Sequence, residues 1–164
     1  MKTITIKLYD FDELSKEVQK KVLNEHRDMN TDFDWWSCTY DNVKESLDYE
    51  VEGFNLDRGA CVEGGIMTSA EHTANLILEH YGEAHELYSL AQDILKRYEK
   101  IDQGSENADN ENEKLEEYLN NELSEHLLKH LREEYNYLTS DEGIIDAIKA
   151  NEYTFESNGK MRNI

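Results

Sequence analysis

Leucine occupies every fourth position of one stretch of this chain, from Leu115 to Leu131, and Tyr135 continues the series. An α-helix has about 3.6 residues per turn, so a strict four-residue repeat forms one apolar stripe that drifts by about 40° per step. The pattern predicts a helix over residues 114–137 whose stripe spirals and meets different neighbours along its length. The 164-residue chain also contains no proline, which favours long helices.

Polar residues that commonly cap helices mark the expected starts of four other helices. The candidate N-caps are Ser15, Asp32 or Asp34, Ser69 and Ser140. The first of these helices is expected to run to about Met29, and Gly82 is placed to end the one that Ser69 begins. Apolar residues at helical spacing predict a further helix over about 83–100.

Alternating apolar residues predict strands at 3–9, 49–56 and 59–67, which together could form one small antiparallel sheet. Residues Tyr153–Ser157 are a candidate terminal strand, and Gly53 and Gly64 suggest bulges or close backbone approaches. The expected fold is therefore α+β, with four to five helices packed on a small antiparallel β-sheet. We expect a single domain over 1–164, with a flexible acidic loop at 101–113.

Acidic residues outnumber basic residues by 37 to 17, which gives a formal net charge of −20. Half of this excess lies after residue 100, where 16 acids accompany 6 bases. Such a surface repels phosphate and attracts basic partners, so direct nucleic-acid binding is disfavoured. The acids are either a solvated face or a contact surface for a basic groove. On the second interpretation the partner-binding residues are Glu106, Asp109, Glu111, Glu113, Glu116, Glu117, Glu122 and Glu125.

The adjacent tryptophans Trp35 and Trp36 cannot face the same point of a core, because neighbouring helical residues point about 100° apart. Trp36 continues an apolar stripe with Tyr40, Val43 and Leu47. Trp35 is either packed on a second surface or exposed as an anchor for a partner, since tryptophan is enriched at binding hot spots. It therefore joins the candidate partner-binding residues.

Two histidines, His126 and His130, lie four residues apart on the long helix, a spacing at which two side chains can share a metal ion. The segment lacks the glutamate of a zinc-protease motif. Cys61 lies in the glycine-rich stretch GACVEGG, which matches neither a phosphate-binding loop nor a nucleophile elbow. We therefore predict no catalytic residue, no metal and no cofactor, and expect that the chain is not an enzyme.

The chain has no apolar run that approaches 18 residues and no signal-peptide core, so no membrane partner is expected. Its two cysteines, Cys38 and Cys61, are too few for a disulfide framework. These features favour a cytoplasmic protein.

Four segments carry a resemblance to a known family: FDELSKEVQKKVLNEHR, DFDWWSCTYDNVKE, the strand pair ending in GACVEGG, and YNYLTSDEGIIDAIKANEYTFESNGK. In their order the chain resembles small phage-encoded proteins often labelled as antitoxins of toxin–antitoxin stability systems. It departs from them at 101–113, where family members carry a longer, hairpin-like insertion. The resemblance implies a phage or prophage origin and action in the cytoplasm of a bacterial host, and it brings no catalytic residues.

Charge and resemblance together predict a non-enzymatic, phage-encoded inhibitor of a bacterial defence nuclease, of the anti-CRISPR kind. Its acids would imitate a nucleic acid and occlude a basic channel of the partner, with residues 106–134 as the main contact. Three alternatives stay open. The chain could be an antitoxin that binds a basic toxin, a metal-dependent enzyme that uses His126 and His130, or a protein that binds its partner through an apolar patch at Trp35.

Overall fold

The computed structural model describes residues 5–162. These residues form six α-helices and two antiparallel sheets of two strands each, so the α+β prediction is confirmed, with one helix more than the four to five expected. The helices are α1 (Lys16–Glu25), α2 (Ser37–Leu47), α3 (Ala70–His80), α4 (Glu86–Tyr98), α5 (Ala108–Leu138) and α6 (Asp141–Ala150). The strands are β1 (Tyr49–Asn55), β2 (Cys61–Ile66), β3 (Thr154–Phe155) and β4 (Met161–Arg162).

The chain divides into two compact units, and the single domain expected from the sequence stays a prediction. One unit contains the described residues up to Trp35 together with those from Glu133 onward. The other unit is Trp36–Arg132. Helix α5 contributes its residues up to Arg132 to the second unit and its last turns to the first.

The first unit is built around an apolar core supplied by both ends of the chain. Its buried members are Phe11, Leu14, Val22, Leu23, Ile144, Ile148 and Phe155. The Ser15 hydroxyl accepts a hydrogen bond from the Val18 N–H at the start of α1, and the Ser140 hydroxyl accepts one from the Gly143 N–H at the start of α6. Both predicted caps are therefore confirmed.

The second unit combines the β1–β2 hairpin with α2, α3, α4 and most of α5. Helix α3 packs on α4 and on α2, and α2 packs on β1. Ser69 caps α3 by accepting a hydrogen bond from the His72 N–H, as predicted. The predicted stripe of α5 is also confirmed, because its five leucines are all buried: Leu115, Leu119, Leu123, Leu127 and Leu131.

The hairpin confirms two predicted strands and corrects their partners. Strands β1 and β2 pair with each other, with a bulge between Val51 and Gly53, and no third strand joins them within the described chain. Of the predicted strand at 3–9, residues 3 and 4 lie outside the described residues and 5–8 are not a strand. Tyr9 forms a single bridge to Phe155 of β3, so this segment belongs to the other unit. Alternation identified extended backbone but not its pairing partner.

Helix α5 begins at Ala108, six residues before its predicted start, so the predicted loop at 101–113 is shorter than expected. Ala108 is buried and precedes Leu115 by seven residues, or about two turns, and therefore extends the same apolar stripe. Asp109 and Glu111 lie in the first turn, where the helix dipole favours negative charge. Ala108 alone continues the apolar stripe before Leu115, so the sequence pattern did not reveal that the helix begins there.

The boundaries of three other helices also differ from prediction. Helix α1 ends at Glu25 rather than near Met29, and a series of turns follows it. Neither Asp32 nor Asp34 caps α2, which begins at Ser37 after a Trp36 that has no side-chain capping bond. Helix α4 is shorter than the predicted 83–100, because the His85 ring nitrogen caps it by accepting from the Leu87 N–H.

Candidate functional site

Helix α5 carries a series of exposed acidic side chains that winds around the helix on the side away from its leucine stripe. Asp109, Glu113, Glu117 and Glu125 follow each other in steps of four or eight residues, and Asn121 fills the gap between the last two. We call these four acids the acidic row. Glu113, Glu117 and Glu125 each lie two residues from a leucine of the stripe, or about 200° around the helix, and so face away from it. Asp109 lies six residues before Leu115, or about 240° around the helix. Like the stripe, the row turns around the helix by about 40° per four-residue step. All four acids are exposed.

The spacing of the row follows from helix geometry. Four residues of α-helix rise by about 6 Å, so the row from Asp109 to Glu125 extends for about 24 Å. A DNA strand rises by about 3.4 Å per phosphate, so one step of the row matches nearly two phosphates. Because the leucines fix the helix against its own unit, the acidic row is held on a rigid support.

The acidic row is not neutralised by its surroundings. None of its four carboxylates forms an ion pair with a lysine or arginine in the described part of the chain. Arg97 of α4 forms an ion pair with Asp93 on its own helix. Its guanidinium carbon also lies over the Tyr118 ring of α5, 4.4 Å from the ring centroid. The row therefore offers negative charge that a partner's cations can pair with.

The other predicted acids lie beside the row. Glu106 is exposed in the turn before α5, and Glu116 is half-buried on the flank of the helix. Glu111 lines a hollow with Arg97, Lys114 and Tyr118. Glu122 shares another hollow with Glu125. Four of the eight predicted acids therefore belong to the acidic row, and the other four lie beside it.

Trp35 is not an exposed anchor. Only 8% of its surface is exposed, and its ring contacts the Tyr135 ring with centroids 5.8 Å apart. Trp36 is half-buried and meets Phe54 edge-on at 5.5 Å. Of the two interpretations that the sequence left open, the packed one is therefore correct, and Trp35 leaves the set of partner-binding residues.

A shallow hollow of about 290 Å³ lies between α4 and α5, at the end of the acidic row. Its lining includes Glu86 and Leu90 from α4 and Glu125, His126 and Lys129 from α5. The Nδ1–H of His126 donates to the Glu86 carboxylate at 2.7 Å, and Lys129 Nζ lies 3.7 Å from the same carboxylate. The His85 ring lies 5.6 Å from the His126 ring.

Burial lowers the pKa of His126, and this effect exceeds the opposing effect of the Glu86 carboxylate. The hydrogen bond from His126 in turn lowers the pKa of Glu86, with help from Lys129. Near neutral pH the pair is therefore a neutral imidazole that donates to a carboxylate rather than an ion pair. The only positive charge in this hollow is that of Lys129, among the residues that the structure describes.

His126 and His130 do not form a metal centre with a third group. Within residues 5–162, no set of three or more His, Cys, Asp or Glu side chains lies close enough together to hold a metal ion. His126 directs one ring nitrogen to Glu86, and His130 is exposed. Both cysteines are exposed thiols that form no disulfide.

The sequence patterns did not distinguish the four acids of the row from the other candidate acids, and they did not indicate the Glu86–His126 pair. The row could have been found from the leucines alone, by marking the positions about half a turn away from the stripe. The pair had no local signal, because its two residues are 40 positions apart and on different helices.

Comparison with protein-family models, with curated proteins and with solved structures gives no match to this chain. No helix within the described range is long and apolar enough to pass through a membrane.

Proposed function

We propose that this protein is a non-enzymatic inhibitor that occupies the basic nucleic-acid-binding channel of a partner protein. The acidic row is the observation that carries the proposal, because it presents four exposed carboxylates in steps of four or eight residues along one helix, and none of them pairs with a lysine or arginine among the described residues. A channel that binds a nucleic-acid backbone carries lysine and arginine side chains. These would engage the row as they engage phosphates.

The class of partner follows from the resemblance to small phage-encoded proteins. A phage protein of this kind would act in the cytoplasm of a bacterium. The partner that we propose there is a defence nuclease, because such a protein opposes phage and binds nucleic acid through basic side chains. Inhibition would be by occlusion, in the manner of anti-CRISPR proteins that imitate nucleic acid. The label of the resembling family also supports an antitoxin that binds a basic toxin, and the same row would serve that contact.

The proposal is tested with two variants that change the net charge equally. The first neutralises the row (Asp109→Asn, Glu113→Gln, Glu117→Gln, Glu125→Gln). The second neutralises four exposed acids elsewhere in the same unit (Glu45→Gln, Glu79→Gln, Glu83→Gln, Glu99→Gln). Proteins captured from a bacterial lysate by the parent chain at low salt are identified, and their affinities for all three chains are measured.

We expect the row variant to lose at least tenfold in affinity, and the control variant to lose far less. Binding should weaken steeply as salt rises, since it depends on exposed charges. Labelled DNA or RNA should compete with the parent chain for the captured protein. Equal losses of affinity in the two variants would show that binding depends on the net charge and not on the position of the row. If DNA or RNA does not compete with the parent chain, the partner is a toxin or a protein of another class.

A further inference from the structure

A hollow of about 470 Å³ lies within the first unit and shares no residue with the acidic row. It is formed by the short 3₁₀ turn Phe11–Glu13 together with the segment that leads from the end of α6 into β3. Its volume falls within the range of roughly 300–1,000 Å³ that is usual for ligand-binding clefts. The lining combines an apolar floor with charged side chains, which is also usual for such clefts.

The floor of this hollow is part of the packed core. Phe11 and Ile148 are buried members of that core, and both also line the hollow. The Phe11 ring meets the Phe155 ring edge-on with centroids 6.3 Å apart, and two backbone hydrogen bonds of 2.8 and 2.9 Å join Phe155 to Tyr9. Half-buried Tyr153 adds an aromatic ring to the lining. Because its floor is fixed by these contacts, the hollow is formed before any ligand binds.

Four exposed charged side chains also line the hollow. Lys149 Nζ lies 2.8 Å from a carboxylate oxygen of Asp12, so the chain already places one cation of its own here. Asp10 and Glu152 form no ion pair within residues 5–162. Helix α6 ends at Ala150, and the C-terminal end of a helix also favours cations. Two carboxylates are therefore available to a second cation.

An apolar floor beside free carboxylates fits a long side chain with an apolar stem and a cationic head. Lysine and arginine both bury their methylene stems on apolar surface and keep the charged group at its margin. Arginine fits better, because its planar guanidinium has five N–H donors for carboxylates and also stacks on aromatic rings such as that of Tyr153. The net charge of −20 favours a basic partner over an acidic one.

We propose that this hollow binds an arginine side chain of a basic protein partner. The stem would lie on Phe11 and Ile148, and the guanidinium would pair with the carboxylates of Asp10 and Glu152. Lys149 would compete with this arginine, because its ammonium repels a second cation. The proposed function rests on the acidic row of the other unit, so either proposal can fail without the other.

The probe is a capped Gly-Arg-Gly peptide, titrated at low salt into the ¹⁵N-labelled full chain. We expect the amides of Phe11, Ile148 and Tyr153 to shift and to saturate, and those of Glu113 and Glu117 in the acidic row to shift less. The same peptide with citrulline in place of arginine has nearly the same shape without the charge, so it should shift the hollow far less. Equal shifts from the citrulline peptide, or larger shifts along the row than at the hollow, would overturn the proposal.

Two substitutions of opposite sign complete the test. Lys149→Gln removes the competing cation and releases Asp12, so it should tighten binding of the arginine peptide by about two- to fivefold, the range of one exposed charge pair. Glu152→Gln should weaken binding by a similar factor. Lys20→Gln and Glu17→Gln make the same charge changes on exposed positions of α1 and should have smaller effects. If either substitution in the hollow changes affinity no more than its control, the peptide responds to net charge and the proposal is wrong.

Discussion

Two residues other than glycine adopt left-handed backbone angles in the described chain, and they do so for different reasons. Asp48 follows α2 with φ 51°, and Glu152 follows α6 with φ 53°. At Glu152 the Tyr153 N–H donates to the Ile148 carbonyl and the Glu152 N–H donates to the Lys149 carbonyl. This is the Schellman motif, in which glycine is the usual residue. Asp48 uses its side chain, because its carboxylate accepts hydrogen bonds from the Thr68 N–H and hydroxyl.

We therefore expect the same substitution to have opposite effects at these two positions. Glu152→Gly should stabilise the fold by up to about 1 kcal/mol, because it relieves a conformation that side chains disfavour. Asp48→Gly should destabilise it by about 1–2 kcal/mol, because the buried carboxylate and its two hydrogen bonds are lost. Chemical denaturation of both variants measures the two changes. A gain in stability at Asp48 would show that backbone strain outweighs the hydrogen bonds to Thr68.

At the scale of elements, we expect the contact between α4 and α5 to depend on pH. The folded state lowers the pKa of His126 through burial and the pKa of Glu86 through their hydrogen bond. A group with a lowered pKa binds fewer protons when folded, so acidification favours the unfolded chain. The stabilisation is complete above the ordinary values of 6.5 for histidine and 4.5 for glutamate, and it is lost as the pH falls toward the lower folded values. The other titratable groups nearby are His85, Glu122, Glu125, Lys129 and His130.

We predict that the melting temperature of the parent chain falls between pH 7 and pH 5, in part because His126 takes up a proton. His126→Asn keeps an amide that can donate to Glu86 but does not titrate, so its melting temperature should fall less over the same range. His72→Asn replaces an exposed histidine of α3 and should retain the parent slope. Parallel slopes for all three chains would remove His126 from the pH response.

At the scale of the whole molecule, the net charge of −20 opposes the compact state through self-repulsion. Most ion pairs in the described chain join exposed groups, which stabilise little. Added salt should screen the repulsion more than it weakens these pairs, because the Debye length shortens from about 30 Å at 0.01 M to about 3 Å at 1 M. We expect the melting temperature to rise by several degrees between low salt and 0.5 M sodium chloride.

Scanning calorimetry of the parent chain and of the row-neutralised variant measures this effect. The variant has four fewer negative charges, so its melting temperature should rise less with salt. If salt instead lowers the melting temperature of the parent chain, attractive pairs dominate its electrostatics. Partner binding can be measured over the same salt series. We expect salt to weaken binding and to raise the melting temperature, because the acidic surface attracts a basic partner but repels itself.

The sequence by itself determined the features that depend on a few neighbouring residues. The serine caps at Ser15, Ser69 and Ser140 use donors three residues away, and the leucine stripe of α5 is a periodicity within one helix. Strands β1 and β2 were found for the same reason. Their alternation and glycines are local, and their turn is short.

Only the tertiary structure decided which surfaces these elements bury. Trp35 is buried against Tyr135, a hundred residues away, and Tyr9 pairs with Phe155 rather than with the hairpin. Ala108 lies on the buried stripe that it extends, and the pKa of His126 is lowered because the fold buries its ring. Local hydrogen bonds and periodicity are encoded within a turn or two, whereas burial and pairing depend on residues that are close only in the folded chain. The acidic row depends on both the local sequence and the tertiary structure. Its spacing is in the sequence, but its exposure follows from the fold, and so does the absence of ion pairs between these acids and a lysine or arginine of the described chain.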